Sequence, residues 1–142
     1  MHLIVVFTII SSCRDSFCDE LILKLEEVTY GEESGMCMID MKDLFKEDWE
    51  YIYIFQGYNT PEDISDALGF NYAGRAIYDP SRLIMLVSDK TIVKSFKTEC
   101  LSFNIDKLLR SNYLRIESGK SKFIMSKTDD ERGRRYILES RQ

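Results

Sequence analysis

The chain has 142 residues, 44% of them hydrophobic and 30% charged, with a formal net charge of −5 and four cysteines. That length suits one domain with a sizeable core, and a net acidic chain is a poor match to nucleic acid, which basic surfaces bind. The single histidine, His2, leaves little room for a Ser-His-Asp or Cys-His relay, or for the commonest transition-metal ligand.

Leu3 to Ile10 is an uncharged, mostly apolar run that leads into Ser11, Ser12 and Cys13. A short apolar segment, small residues and then a thiol have the build of a lipoprotein-type signal. Residues 1–12 are therefore expected to be removed, leaving one domain, 13–142, with Cys13 as its lipidated N-terminus. Such a chain is exported and anchored to a membrane, in the periplasm or at the cell surface. No Lys or Arg precedes the run, so the positive charge that signals carry falls to the amino terminus. The alternative makes Leu3–Ile10 a buried strand of a cytoplasmic domain, since the run is rich in β-branched residues. Eight residues are too few to span a bilayer as a helix, which takes about twenty.

Ser16 and Asp19 have the spacing of a capping box, and Phe17, Leu21, Leu25 and Val28 follow at helical spacing. Glu20, Lys24, Glu26 and Glu27 fall on the opposite side, so a helix is predicted from about Phe17 to Tyr30, ending at Gly31. Met36 to Met41 reads as a short strand and Asp40 to Asp48 as irregular. Trp49-Glu-Tyr-Ile-Tyr-Ile-Phe55 has large side chains on both faces from Tyr51 onward, which predicts a central strand covered on both sides. Thr60-Pro61-Glu62-Asp63 starts a helix, with Thr as cap, Pro at the first helical position and acids in the first turn; Gly69 ends it.

Beyond Pro80 the pattern turns to hairpins. Arg82 to Val87 and Thr91 to Lys97 are strand-like runs joined by Ser88-Asp89-Lys90. Ser102 to Arg110 is predicted as a short helix with Leu101, Ile105, Leu108 and Leu109 inside. Tyr113–Glu117, Lys122–Ser126 and Tyr136–Glu139 read as strands, the first two joined by a Ser118-Gly119-Lys120 hairpin turn, with a charged, exposed link over 127–135. The sum is α+β: one or two helices packed on a largely antiparallel sheet.

Acids and bases are unevenly spread. Residues 14–66 carry a net charge of −11 and residues 67–142 a net charge of +6, which gives opposite signs to different parts of the surface if the fold keeps the halves apart. With Cys13 acylated, Cys18, Cys37 and Cys100 allow at most one bridge, and none of the spacings matches a zinc or thioredoxin pattern. Gly119-Lys120-Ser121 has the ending of a phosphate-binding loop, but Leu114 stands where the loop requires glycine.

The block Asp48-Trp49-Glu50-Tyr-Ile-Tyr-Ile-Phe55, Gly57-Tyr58 and Thr60-Pro61-Glu62-Asp63-Ile64 through Leu68-Gly69-Phe70 resembles a pattern in small, largely uncharacterised bacterial exported proteins and lipoproteins. It departs at the turn, where Gln-Gly-Tyr stands in place of Gly-Pro-Tyr. The resemblance covers about a sixth of the chain and implies an exported location and a strand–helix unit, without an activity.

These observations lead to an expected non-catalytic lipoprotein with no cofactor and no metal, acting by protein–protein contact, with an immunity or inhibitor protein against a toxin as the most concrete form. Asp40, Asp43, Glu47, Asp48 and Glu50 are the expected docking carboxylates, since acids close in sequence can meet a basic partner. Its membrane contact is through the lipid, and nucleic acid is not an expected partner; Arg132-Gly-Arg-Arg135 is a candidate only for lipid headgroups near the tether. The alternative is a ligand-binding or envelope-maintenance module whose cleft is lined by Trp49, Tyr51, Tyr58 and Tyr72. A carboxylate-dependent hydrolase ranks third and needs two acids facing one another in a pocket.

Overall fold

A computed structural model describes residues 15–32 and 35–142. Cys13 and the Leu3–Ile10 run lie outside the described residues. Among those described, three α-helices fall in the first half of the chain and six of the eight strands follow them, an α+β fold.

Helix α1 (Ser16–Val28) starts one residue earlier than expected, and its cap is different. Asp15, not Ser16, accepts a hydrogen bond from Cys18 N at 3.0 Å, because a carboxylate satisfies a free N–H of the first turn and also suits the positive helix end. Strand β1 (Met36–Asp40) follows. Within the stretch read as irregular, Asp40 caps a one-turn helix, α2 (Met41–Leu44), whose Met41 and Leu44 are buried. Strand β2 (Tyr51–Phe55) leads to α3 (Pro61–Leu68). There Thr60 and Asp63 form a reciprocal capping box and Gly69 closes the helix at φ +78°, a conformation that suits glycine.

The remaining strands are β3 (Arg82–Ser88), β4 (Thr91–Thr98), β5 (Phe103–Asn104), β6 (Tyr113–Glu117), β7 (Lys122–Asp130) and β8 (Gly133–Arg141). They form two four-stranded sheets, ordered β1-β7-β8-β5 and β4-β3-β2-β6, rather than the single sheet expected. Every pairing of named strands is antiparallel except the short β5–β8 contact. Ser118-Gly119-Lys120 is a 3-10 turn that carries the chain from one sheet to the other, not a hairpin: β6 pairs with β2, and β7 pairs with β1 and β8. Much of the supposed link over 127–135 is the paired, exposed tip of the β7–β8 ribbon. The predicted 102–110 helix shrinks to β5 and a 3-10 turn at Asp106–Leu108, and Leu101 is 70% exposed instead of inside.

The main core fills the space between the sheets. Cys37, Ile39, Phe123, Met125, Tyr136 and Leu138 of the first sheet meet Ile52, Ile54, Ile84, Leu86, Leu114 and Ile116 of the second, with Leu21 and Leu25 of α1 joining at the side. A second core sits on the far face of β2 and β3. Tyr53, Phe55, Leu83, Met85 and Val87 pack there against Ile64 and Leu68 of α3 and against Ile77. Strand β2 is thus central and covered on both faces, as its side chains predict.

A disulfide joins Cys18 of α1 to Cys100, with Cα atoms 5.1 Å apart, while Cys37 is a buried free thiol. Asp15 reinforces this attachment: its Oδ2 accepts from Thr98 Oγ1 and from Glu99 N at 2.9 Å. The start of α1 is therefore fixed to the β4–β5 connection by one covalent link and by a carboxylate shared between helix cap and strand end.

Candidate functional site

The five expected docking carboxylates do not make one acidic surface. Asp40 is held by Lys42 N at 3.0 Å and Ser121 Oγ at 2.6 Å. Glu47 forms an ion pair with Lys94 at 2.9 Å. Glu50 accepts from Asp89 N and from Ser88 Oγ, closing the β3–β4 turn. Asp43 and Asp48 are exposed, with exposed Lys42 and Lys46 between and beside them. Three of the five thus have internal structural work. Burial by itself raises the Asp40 and Glu47 carboxyls, yet hydrogen bonds from Ser121 and from Lys94, respectively, outweigh it and hold both below the ordinary range.

The four aromatics of the alternative reading do not converge on a cleft. Trp49 is buried and its Nε1 donates to Phe45 O at 2.9 Å, so its polar end is satisfied inside the core. Tyr51 is half-buried beneath the Arg115 guanidinium, 5.3 Å from its ring centre. Tyr58, at φ +68°, is 70% exposed. Tyr72 is half-buried, with its hydroxyl donating to Arg75 O at 3.2 Å. Trp49 borders a shallow depression of about 330 Å³ with Lys42, Phe45 and Asp48. No group of three or more His, Cys, Asp or Glu residues is placed to hold a metal ion among the described residues.

A different arrangement stands out on the α1–β4 side. The Phe17 and Phe96 rings stack with centres 4.4 Å apart, both half-buried, and Phe45 lies 6.2 Å from Phe17. Lys94 Nζ sits 4.9 Å from the centre of the Phe96 ring. Glu20, Lys24, Glu47 and Lys94 surround this aromatic floor. Lys24 also donates to Leu44 O at 3.1 Å, which ties α1 to the end of α2. The exposed side of α1 adds Asp19, Glu26 and Glu27, and α3 exposes Glu62, Asp63 and Asp66 without a basic residue in the helix. Helical spacing reveals these acids in the sequence. That Glu20 and Glu47 share one aromatic floor is set by tertiary packing and has no sequence signal.

Two larger cavities lie elsewhere. One of about 630 Å³ is bounded by the C-terminal end of α1 and by Lys127, Asp129 and Arg134 of the β7–β8 ribbon. The other, of about 400 Å³, is lined by Arg82, Glu99, Leu101, Asp106, Arg132 and Arg135 among others. Arg82 is turned inward, its guanidinium donating to Phe103 O and lying 3.6 Å from Asp106. Burial lowers its pKa and Asp106 opposes that shift.

The fold and this surface define a small two-sheet α+β domain with acidic helices and a basic ribbon. Comparison of the chain with family models, with curated proteins and with solved structures returns no match. No described helix is long and apolar enough to cross a membrane.

Proposed function

We propose that this chain is an exported lipoprotein, tethered through Cys13, that acts without catalysis by binding another protein, with an immunity or inhibitor role against a toxin as its most specific form. The observation that carries the contact reading is the stacked Phe17–Phe96 pair ringed by Glu20, Lys24, Glu47 and Lys94. An apolar centre within a charged rim is the usual anatomy of a protein interface. The acids of α1 extend that rim and would speed the approach of a basic partner. Of the five carboxylates read from the sequence, Glu47 belongs to this surface, whereas Asp40 and Glu50 serve the fold. The Cys18–Cys100 disulfide supports an oxidising location, since such bonds persist outside the cytoplasm.

The test is the intact mass of the protein extracted from membranes of its native host. A chain beginning at Cys13 with added acyl mass supports the tether. An unprocessed soluble chain beginning at Met1 ends the lipoprotein reading and restores the core-strand alternative for Leu3–Ile10. For the contact surface, E20K combined with E47K should slow association with a basic partner encoded beside the gene and flatten its salt dependence. Unchanged rates place the contact elsewhere.

A further inference from the structure

We propose that the face formed by Leu101, Arg132 and Arg135 rests against an anionic phospholipid bilayer, so that the domain is oriented on the membrane and not merely tethered to it. This rests on the lipoprotein reading above. Asp15 is pinned to Thr98 and Glu99, and Cys18 is bonded to Cys100. Cys13 is two residues upstream of Asp15, so a lipid attached there joins the chain within about 7 Å of the Asp15 Cα. The tether therefore leaves the domain beside Glu99 and Leu101, on the rim of the 400 Å³ cavity that Arg132 and Arg135 also line.

The chemistry of that rim fits a headgroup layer. Leu101 is a large apolar side chain at 70% exposure in the loop after the disulfide, and such a side chain gains by entering the boundary between headgroups and acyl chains. Arg132 is exposed, and its guanidinium has no acidic partner among the described residues; Arg135 is half-buried and pairs with Asp130 at 2.7 Å. Glu99 and Asp106 also line the cavity, and Asp106 faces Arg82. Arg82, Arg132 and Arg135 are matched in number by Glu99, Asp106 and Asp130, so the bias toward anions rests on Arg132, the one of the three without an acidic partner among the described residues. A modest bias suffices, because the anchor already holds the domain at high effective concentration beside the lipid. Each arginine near an anionic surface adds roughly fivefold.

The experiment uses protein purified from its own membranes and placed in nanodiscs of phosphatidylcholine alone or mixed with phosphatidylglycerol. Hydrogen exchange of the 99–102 and 131–135 amides should be slower in the anionic discs by about threefold or more. R132Q with R135Q should remove that difference, and Leu101→Ser should shrink it, with thermal melting unchanged in both variants. Equal exchange in the two discs, in a sample whose mass includes the acyl chains, overturns this proposal alone. A mass without acyl chains overturns the tether and the proposal together.

Discussion

The two sheets are the same size but differ in what covers them. In β4-β3-β2-β6 the inner strands β2 and β3 are buried on both faces, one against the opposite sheet and one against α3. In β1-β7-β8-β5 only the inner face joins a core. Its outer side chains Met36, Met38, Ile124 and Ile137 belong to neither core, and the two methionines are 49% and 52% exposed. The strand sequences match. Tyr51–Phe55 and Leu83–Val87 are continuous apolar runs, whereas β1 alternates exposed and buried residues. Stability should therefore concentrate in the doubly covered sheet, with the open face left available for change.

The largest effect is expected at that sheet. Phe55 is fully buried between β2's neighbours and α3, with Tyr53 and Tyr113 rings 5.9 Å and 5.7 Å from its own. Phe55→Ala removes a large buried side chain and leaves a cavity, at a cost of about 3–5 kcal/mol in urea unfolding. Next comes the disulfide. Cys18 and Cys100 are separated by 82 positions, and closing so long a loop constrains the unfolded chain, so replacing both by Ser should cost about 2–4 kcal/mol. If Phe55→Ala costs no more than an outer-face substitution, the second core is not packed as described.

The contrast between sheets was partly legible in the chain itself. The double-sided burial of β2 followed from Tyr51 to Phe55, and α3 followed from Thr60, Pro61 and Gly69, because capping and alternation are local signals. The division into two sheets was not legible. Ser118-Gly119-Lys120 has the composition of a hairpin turn, and only pairing of β6 with β2, about sixty residues earlier, separates it from β7. The internal roles of two of the expected docking carboxylates were hidden for a similar reason. Asp40 and Glu50 look like free surface acids until Ser121 and Asp89, both distant in sequence, are seen to donate to them. Leu101 was placed inside by its apolarity, but the loop leads it outward.

A smaller, pH-dependent effect belongs to the clamp at the start of α1. Burial raises the Asp15 carboxyl, but hydrogen bonds from Thr98 and from the Cys18 and Glu99 amides outweigh it and hold its pKa below the usual carboxylate range. A carboxyl depressed on folding contributes stability that is present above its unfolded pKa and lost as pH falls through its folded value. Asp15→Ala should lower stability at pH 7 by about 1 kcal/mol, while narrowing the difference between pH 7 and pH 3. Urea midpoints of both proteins at the two pH values measure this. An undiminished pH dependence would show that Asp40, Glu47 and the other depressed carboxyls carry the acid sensitivity.

The smallest effect should fall on the open face, and it sharpens the comparison from the other side. Met38 pairs with Ile124 in the β1–β7 register and points away from the core. Met38→Thr replaces a half-exposed apolar side chain with a good strand former, so its cost should stay within about 0.5 kcal/mol. The same change at Met85, a β3 residue 1% exposed in the core shared with α3, introduces a buried hydroxyl and removes packing, so its cost should exceed about 2 kcal/mol. Both are read from urea midpoints at a common protein concentration. A Met38→Thr cost that approaches that of Met85→Thr and rises with protein concentration would mean that a second copy covers this face in solution. The asymmetry between the sheets would then belong to the monomer alone.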